Sequence, residues 1–140
     1  MVKGSDALGG GVPARAPTFC TAINCLDGRV QLPVISHLRQ RFGVDFVDMV
    51  TEPGPVGLLA ARTNVAAVQS IRERVKLTLE RHQSCGIGVV AHHDCAGNPV
   101  TAAIQQQQLR ACVPLLREWF PALPVIALWV DEHGVVQEMG

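Results

Sequence analysis

An apolar run at residues 86–91 ends directly in two imidazoles, a carboxylate and a thiol, His92-His93-Asp94-Cys95. The run is too short for a helix of its own and is typical of a strand buried on both faces. The polar side chains that follow are not needed to fill an apolar core. The spacing of His92 and Cys95 lets both side chains reach one metal ion. The pattern predicts a buried strand whose carboxyl end carries part of a metal site.

A third soft ligand follows another short apolar run. Residues 18–24 are predicted to form a buried strand, and Cys25 comes directly after it, followed by Asp27 and Arg29. If the two strands are neighbours, their carboxyl ends bring Cys25 close to the first two ligands. We therefore expect the two strand ends to hold a zinc ion.

Strand and helix patterns alternate along the chain, which predicts an α/β fold with a mostly parallel central sheet of four to five strands flanked by helices. The predicted strands are residues 18–24, 44–50, 86–91 and 124–130, with a short antiparallel edge strand at 135–138 after a turn at 131–134. The predicted helices are residues 33–42, ended by Gly43, residues 64–82, capped by Asn64, and residues 99–119, kinked or divided at Pro114. Residues 51–55 are predicted to form a loop, and residues 57–61 a turn or short helix.

The chain is expected to contain one folded unit. Residues 1–17, rich in glycine and proline, are predicted to form a flexible N-terminal arm, and residues 18–140 a single zinc-binding α/β domain. No apolar run approaches the roughly 20 residues that cross a bilayer, and the N-terminus lacks the pattern of a secretory signal.

Charge and cysteine content exclude several classes of function. Lys plus Arg equals Asp plus Glu at 12 each, so neither nucleic acid nor a membrane surface is an expected partner. The near-zero net charge favours self-association. Five cysteines, an odd number, do not indicate a disulfide framework, and a reduced cytoplasmic location is expected.

Several other residues carry weaker expectations. Cys20, Cys85 and Cys112 are predicted to be small buried hydrophobic residues, and the four glutamines at 105–108 to lie on an exposed helix face. His93 is either a proton shuttle, a residue supporting a metal ligand, or simply exposed. Asp94 either orients a ligand or caps the loop.

Two motifs resemble those of the β-class carbonic anhydrases. Cys25-Leu26-Asp27-Gly28-Arg29 resembles the Cys-x-Asp-Ser-Arg motif of that family, and His92-x-x-Cys95 after an apolar strand resembles its second motif. The order of elements agrees over roughly residues 18–139. The chain departs from the family at Gly28, where serine is usual, and at Ala96, where glycine commonly follows the cysteine.

The resemblance implies that Cys25, His92 and Cys95 are zinc ligands. It also implies that Asp27 and Arg29 form a catalytic carboxylate–guanidinium pair beside the metal. Asp27 either pairs with Arg29 and orients the attacking hydroxide or turns to the zinc as a fourth ligand. The implied reaction is the reversible hydration of carbon dioxide to bicarbonate by a zinc-bound hydroxide, and the implied assembly is a homodimer or a higher homo-oligomer.

Two alternatives remain open at this point. One keeps the site but changes the substrate to a related small linear molecule, carbon disulfide or carbonyl sulfide. The other is a non-catalytic zinc-binding protein of the same fold, for which the departures at Gly28 and Ala96 provide support.

Overall fold

The computed structural model describes residues 15–140, which form a five-stranded sheet with helices on both faces. Residues 1–14 of the predicted N-terminal arm lie outside the described residues. The strands are β1 (Phe19–Cys25), β2 (Phe46–Glu52), β3 (Ile87–His92), β4 (Val125–Val130) and β5 (Val136–Met139). The helices are α1 (Gln31–Phe42), α2 (Pro55–Ala61), α3 (Val65–His82) and α4 (Ala102–Trp119), with a 3-10 turn (Gly28–Val30) before α1.

The strand order is β2-β1-β3-β4-β5. β1 pairs in parallel with both β2 and β3, β3 pairs in parallel with β4, and β5 runs antiparallel to β4. β3 and β4 are buried along their whole length, as expected for central strands covered by helices on both faces. The predicted α/β class and the mostly parallel sheet are confirmed, and so is the antiparallel edge strand.

The two faces of the sheet are covered by different helices. Val34 and Leu38 of α1 pack on one face in a core that also contains Cys20 and Leu128. Helices α2, α3 and α4 pack on the other face. The connection after β1 therefore leaves toward one face and the connection after β3 toward the other, which creates a crevice between the carboxyl ends of these two neighbouring strands.

Helix ends follow local sequence signals at most positions. Gly43 ends α1 in the left-handed conformation, with φ of 64°, and the side chain of Asn64 accepts a hydrogen bond from the amide of Ala67 at 3.1 Å. Both were predicted. The loop predicted at residues 51–55 is shorter, because β2 continues to Glu52 opposite Cys25 and Pro55 occupies the first turn of α2.

The predictions for α4 were wrong in two respects. The helix begins at Ala102 and not at Pro99, because the Thr101 hydroxyl accepts a hydrogen bond from the amide of Ile104 at 3.2 Å and caps it. α4 also continues as one helix through Pro114 to Trp119, so the predicted division into two helices was wrong, whereas the predicted kink stays a prediction. Buried residues on both sides of the proline stabilise the helix, which offsets the hydrogen bond that proline cannot donate; they are Leu109, Cys112, Leu115 and Leu116.

No helix among residues 15–140 is long and apolar enough to cross a membrane.

The loops that follow β2 and β3 pack against each other through glycines. A Cβ on Gly97 would lie 2.6 Å from Cβ and 2.7 Å from the carbonyl carbon of Pro53. A Cβ on Gly54 would lie 2.5 Å from Cβ of Asn98, and Gly54 has a φ of +60°. Only glycine allows so close an approach of the two backbones. The contact sets the position of the loop that carries Cys95.

We expect Gly97→Ala to lower the free energy of unfolding by about 1–3 kcal/mol, because the new methyl group collides with the Pro53 backbone. Urea unfolding monitored by circular dichroism measures the change. Gly28→Ala is the control, since nothing lies within 4 Å of a Cβ at that position, and it should stay within about 0.5 kcal/mol of the wild type. Equal midpoints for the two variants would contradict the loop contact.

Candidate metal centre

Cys25, His92 and Cys95 meet in the crevice between β1 and β3. Cys25 is the last residue of β1, His92 is the last residue of β3, and Cys95 lies in the loop that follows. One potential ligand atom from each lies within 4.8 Å of the others, and all three residues are buried. The two sulfur atoms are 3.8 Å apart. The structure thus brings together the three residues that the sequence predicted as metal ligands.

The imidazole of His92 is oriented by its own loop. Its Nδ1 lies 2.8 Å from the carbonyl oxygen of His93 and donates a hydrogen bond to it. The other ring nitrogen, Nε2, is buried and has no hydrogen-bond partner among the described residues. An Nδ1–H···O=C bond of this kind leaves a lone pair on Nε2, which is the form of histidine that binds metals.

The backbone of His92 is held by a glutamine that sequence reasoning assigned to the surface. The amide of His92 donates to Oε1 of Gln105 at 3.2 Å, and Nε2 of Gln105 donates to the carbonyl of His92 at 2.8 Å. Gln105 is 2% exposed, so the prediction of an exposed glutamine run was wrong at this position. Helical spacing was the available signal, because the residues four and seven positions later, Leu109 and Cys112, lie on the buried face of α4.

The loop after β1 is fixed by two further side-chain amides. The side chain of Asn24 accepts a hydrogen bond from the amide of Cys25 at 2.9 Å and donates to the carbonyl of Val30 at 3.1 Å. Nε2 of Gln31 donates to the carbonyls of Cys25 and Asp27 at 2.7 and 2.9 Å. These contacts hold Cys25 and Asp27 in a fixed relative position.

The two thiols of the cluster ionise unequally. Burial raises the pKa of Cys25, but the neighbouring His92 imidazole and the backbone amides of Gly54 and Asp27 outweigh it and lower that pKa to about 7. Burial and the adjacent Cys25 raise the pKa of Cys95. Burial also opposes a charge on His92, but Cys25 and the His93 carbonyl outweigh it and raise its pKa. A second thiolate therefore requires additional positive charge at the site.

Asp27 and Arg29 form a bidentate ion pair beside this cluster. Nη2 of Arg29 lies 2.7 Å from Oδ2 of Asp27, and Nε lies 3.1 Å from Oδ1. The backbone amide of Arg29 also donates to Oδ1 at 2.8 Å. These bonds lower the pKa of Asp27 to about 2. Asp27 is not part of the group of three residues, Cys25, His92 and Cys95, whose ligand atoms converge.

Arg29 also connects the two loops of the site. Its Nη2 donates to the backbone carbonyl of Asp94 at 3.1 Å, and its Nη1 lies 3.4 Å from the Asp94 carboxylate. Asp94 has a φ of 57°, a left-handed conformation that few residue types adopt readily. The structure thus shows Asp94 in contact with Arg29, which is neither of the two roles predicted for it.

A small cavity of about 60 Å³ opens beside Arg29 and His92, and His93 is exposed at its edge. The other residues that line the cavity lie at the end of the 3-10 turn before α1, at the end of β4 and in the β4–β5 connection. They are Val30, Val130, Asp131, Glu132 and Gly134. A wider groove of about 740 Å³, between α4 and β5, contains none of the predicted site residues.

The remaining cysteines lie outside the cluster. Cys20 and Cys112 are buried as predicted, whereas Cys85 is exposed and its prediction was wrong. Cys85 precedes β3 in the turn after α3, where its side chain lies outside the sheet's core.

Comparison with known proteins gives a family from the sequence and a fold from the structure. A family model described as "putative carbonic anhydrase" matches residues 15–140. The crystal structure of carbonic anhydrase from Streptococcus mutans is similar with a TM-score of 0.58 and 16% identity, over 94% of this chain and 88% of that chain. A structure from a study of two tetrameric beta-carbonic anhydrases from Sordaria macrospora gives a TM-score of 0.59 and 13% identity, over 91% and 82%. A search of curated proteins found no match. At these identities the structural likeness shows the fold.

We expect Arg29→Ala to raise the pKa of Asp27 from about 2 toward its ordinary value of about 3.9, because the guanidinium hydrogen bonds are the main cause of the shift. Carbon-13 NMR titration of the Asp27 carboxyl in the metal-free protein measures it. The stabilisation by this pair is complete above the ordinary pKa and is lost as the pH falls through the folded-state value. Arg110→Ala, at an exposed position of α4, is the control and should leave the Asp27 titration unchanged; an unchanged titration in Arg29→Ala would contradict the ion pair.

Proposed function

This chain belongs to the family described as putative carbonic anhydrases, and we propose that it is a zinc-dependent enzyme that reversibly hydrates carbon dioxide to bicarbonate. The proposed zinc ligands are Cys25, His92 and Cys95, and the proposed catalytic pair is Asp27 and Arg29. The observation that carries the proposal is the convergence of one possible ligand atom from each of three buried residues. In addition, Nε2 of His92 is buried and has no hydrogen-bond partner among the described residues.

The donor set fits zinc in type and in distance. Zinc in proteins is bound by thiolate and imidazole, with Zn–S distances of about 2.3 Å. Two sulfur atoms bound tetrahedrally at that distance are about 3.8 Å apart, which is the separation of the Cys25 and Cys95 sulfurs, 3.8 Å. A divalent cation would also supply the positive charge that the second thiolate needs.

Cys25, His92 and Cys95 would hold the zinc, and three protein ligands are the number found in catalytic zinc sites. When bound, zinc would supply a Lewis acid that lowers the pKa of water toward neutrality. Arg29 binds both carboxylate oxygens of Asp27 and would keep this carboxylate from serving as a fourth ligand. A carboxylate held in this way accepts a hydrogen bond from the attacking water and orients it.

Arg29 has two roles in this proposal. It keeps Asp27 ionised and paired, and it is one of the residues that line the cavity beside His92. Carbon dioxide and water together give bicarbonate and a proton, so negative charge develops on the substrate oxygens next to this cation. The cavity of about 60 Å³ admits a molecule of only a few atoms.

We propose a reducing compartment, the cytoplasm, because the proposed site needs Cys25 and Cys95 as thiols. All five cysteines are free, including the adjacent pair at the site. Oxidation of Cys25 and Cys95 to a disulfide would remove two of the three proposed ligands.

We also propose that the chain forms homo-oligomers. The Sordaria macrospora enzymes are described as tetrameric. In this chain Leu26 and Leu32, on either side of the 3-10 turn next to the site, are 59% and 77% exposed. Exposed apolar residues of this size are typical of interaction surfaces when they lie together.

Zinc should bind at one equivalent per chain and raise the melting temperature, because it binds the folded site and not the dispersed ligands of the unfolded chain. Elemental analysis and calorimetry measure the two effects. Cys95→Ser should lose most of the zinc and the shift in melting temperature. Cys85→Ser, at an exposed cysteine outside the cluster, should keep both; equal zinc content in the two variants would remove Cys95 from the site.

Stopped-flow hydration of carbon dioxide by the zinc-loaded protein tests the activity. Arg29→Ala should lower kcat by about 100-fold or more, because Asp27 is no longer held as an acceptor, whereas zinc affinity should not fall, since the freed carboxylate can bind the metal. The control is Arg110→Ala, which should retain the wild-type rate.

A wild-type rate in Arg29→Ala would contradict the proposed role of the pair. A parallel assay for sulfide release from carbon disulfide and carbonyl sulfide distinguishes the related hydrolase. Zinc binding with neither activity would identify a non-catalytic zinc protein.

A further inference from the structure

β1 and β3 are paired at their amino ends and separate at their carboxyl ends. Their pairing ends at Ile23 opposite Val89, whereas β3 remains paired with β4 as far as His92 opposite Val130. The separation opens the crevice that contains the metal cluster. It also leaves the last backbone groups of β3 without a strand partner on the β1 side.

The backbone amide and carbonyl of His92 are two of these groups. The amides of Ile87 and His93 donate to carbonyls at Pro124 and Val130, on the β4 side. Backbone groups alternate in direction along a strand, so the amide and carbonyl of His92 point to the β1 side. Leaving both unsatisfied in a buried position would cost about 1–3 kcal/mol each.

The side chain of Gln105 takes the place of the missing strand. Its carboxamide offers one acceptor and one donor side by side, and these bind the amide and the carbonyl of His92 at 3.2 and 2.8 Å. The glutamine reaches the crevice from α4, the helix that covers this face of the sheet. The backbone of the histidine is thereby fixed to a rigid helix instead of a mobile loop.

A second glutamine, one turn further along α4, holds the other half of the loop. Oε1 of Gln108 accepts a hydrogen bond from the side chain of Asn98 at 2.6 Å, and the amide of Asn98 donates to the carbonyl of Cys95 at 3.3 Å. Residues three apart lie on the same face of a helix. One turn of α4 therefore contacts the segment 92–98 at both ends.

We propose that Gln105 is a positioning residue for the metal centre, which fixes the distance between His92 and the two thiols through the backbone of His92, with Gln108 supporting Cys95 through Asn98. This inference rests on the metal site of the proposed function but not on the reaction assigned to it. Gln105 itself touches neither metal nor substrate. Partners that orient metal ligands typically change metal affinity by 10- to 100-fold when removed.

The test measures metal binding and coordination geometry rather than activity. Gln105→Met keeps the size of the side chain and removes both hydrogen bonds. Gln105→Asn keeps the amide but is one methylene too short to bind both groups of His92. The same two substitutions at Gln107, which is exposed on the same helix, are the matched controls. Zinc affinity is measured by competition with a chelator, and the visible spectrum of the cobalt-substituted protein reports the geometry.

We expect Gln105→Met to bind zinc at least tenfold more weakly and to show altered cobalt bands, whereas the Gln107 variants match the wild type. Circular dichroism of each metal-free variant establishes that it is folded at the assay temperature. If Gln105→Met does not fold, the test rests on Gln105→Asn. A zinc affinity lower by about threefold or more, together with altered cobalt bands, then supports the positioning role of Gln105.

Wild-type zinc affinity and wild-type cobalt bands in a folded Gln105 variant would overturn the positioning role, whatever its stability. A wild-type protein that binds zinc but hydrates no carbon dioxide would contradict the proposed reaction, but it would not contradict the positioning role of Gln105. A wild-type protein that binds neither zinc nor cobalt would overturn both.

Discussion

The parallel pairing of β1 with β3, and its early end, is the constraint on which the site depends. The two strands must be neighbours for residues so far apart in sequence to meet, and they must separate for their carboxyl ends to enclose a buried space. The connection after β1 leads to α1 on one face of the sheet, and the connection after β3 leads to α4 on the other. Neighbouring strands whose connections leave toward opposite faces have a crevice between their carboxyl ends. The same separation breaks the hydrogen-bond ladder beside the metal ligands.

On both strands, side-chain amides form the hydrogen bonds that the missing strand pairing would have supplied. Asn24 binds the amide of Cys25, and Gln105 binds both backbone groups of His92. In water these groups would be solvated, but here they lie in a buried crevice where an unpaired amide is costly. The result is that the residues bearing the proposed ligands have backbones with little freedom to move, as a metal site of defined geometry needs.

Electrostatics in the site are divided between a buried cluster and a more exposed ion pair. The thiols and the imidazole are buried and share one potential cation site. Asp27 and Arg29 lie beside it, and Arg29 also contacts the carbonyl of Asp94. A guanidinium can bind a carboxylate with two bonds and still donate to a third group. Arg29 thereby links the loop that follows β1 to the loop that follows β3, so the proposed catalytic pair and the proposed ligands belong to one connected structure.

The sequence by itself determined the element types and the ligand spacing of His92 and Cys95, because hydrophobic periodicity, capping residues and ligand spacing are local signals. The parallel sheet was predicted from the alternation of strands and helices, and the meeting of Cys25 with the other two residues only on the condition that β1 and β3 are neighbours. Its errors also concerned local features. Pro99 was predicted to begin α4, which is capped by Thr101, a division of α4 at Pro114 was one of two expectations there, and Cys85 was expected to be buried. The tertiary structure alone decided that β1 separates from β3 after Val89, that Asp27 binds Arg29 and is not part of the cluster, and that Gln105 is buried against His92. These outcomes depend on which backbone groups lose their partners when strands and helices assemble, and no single segment of the chain contains that information.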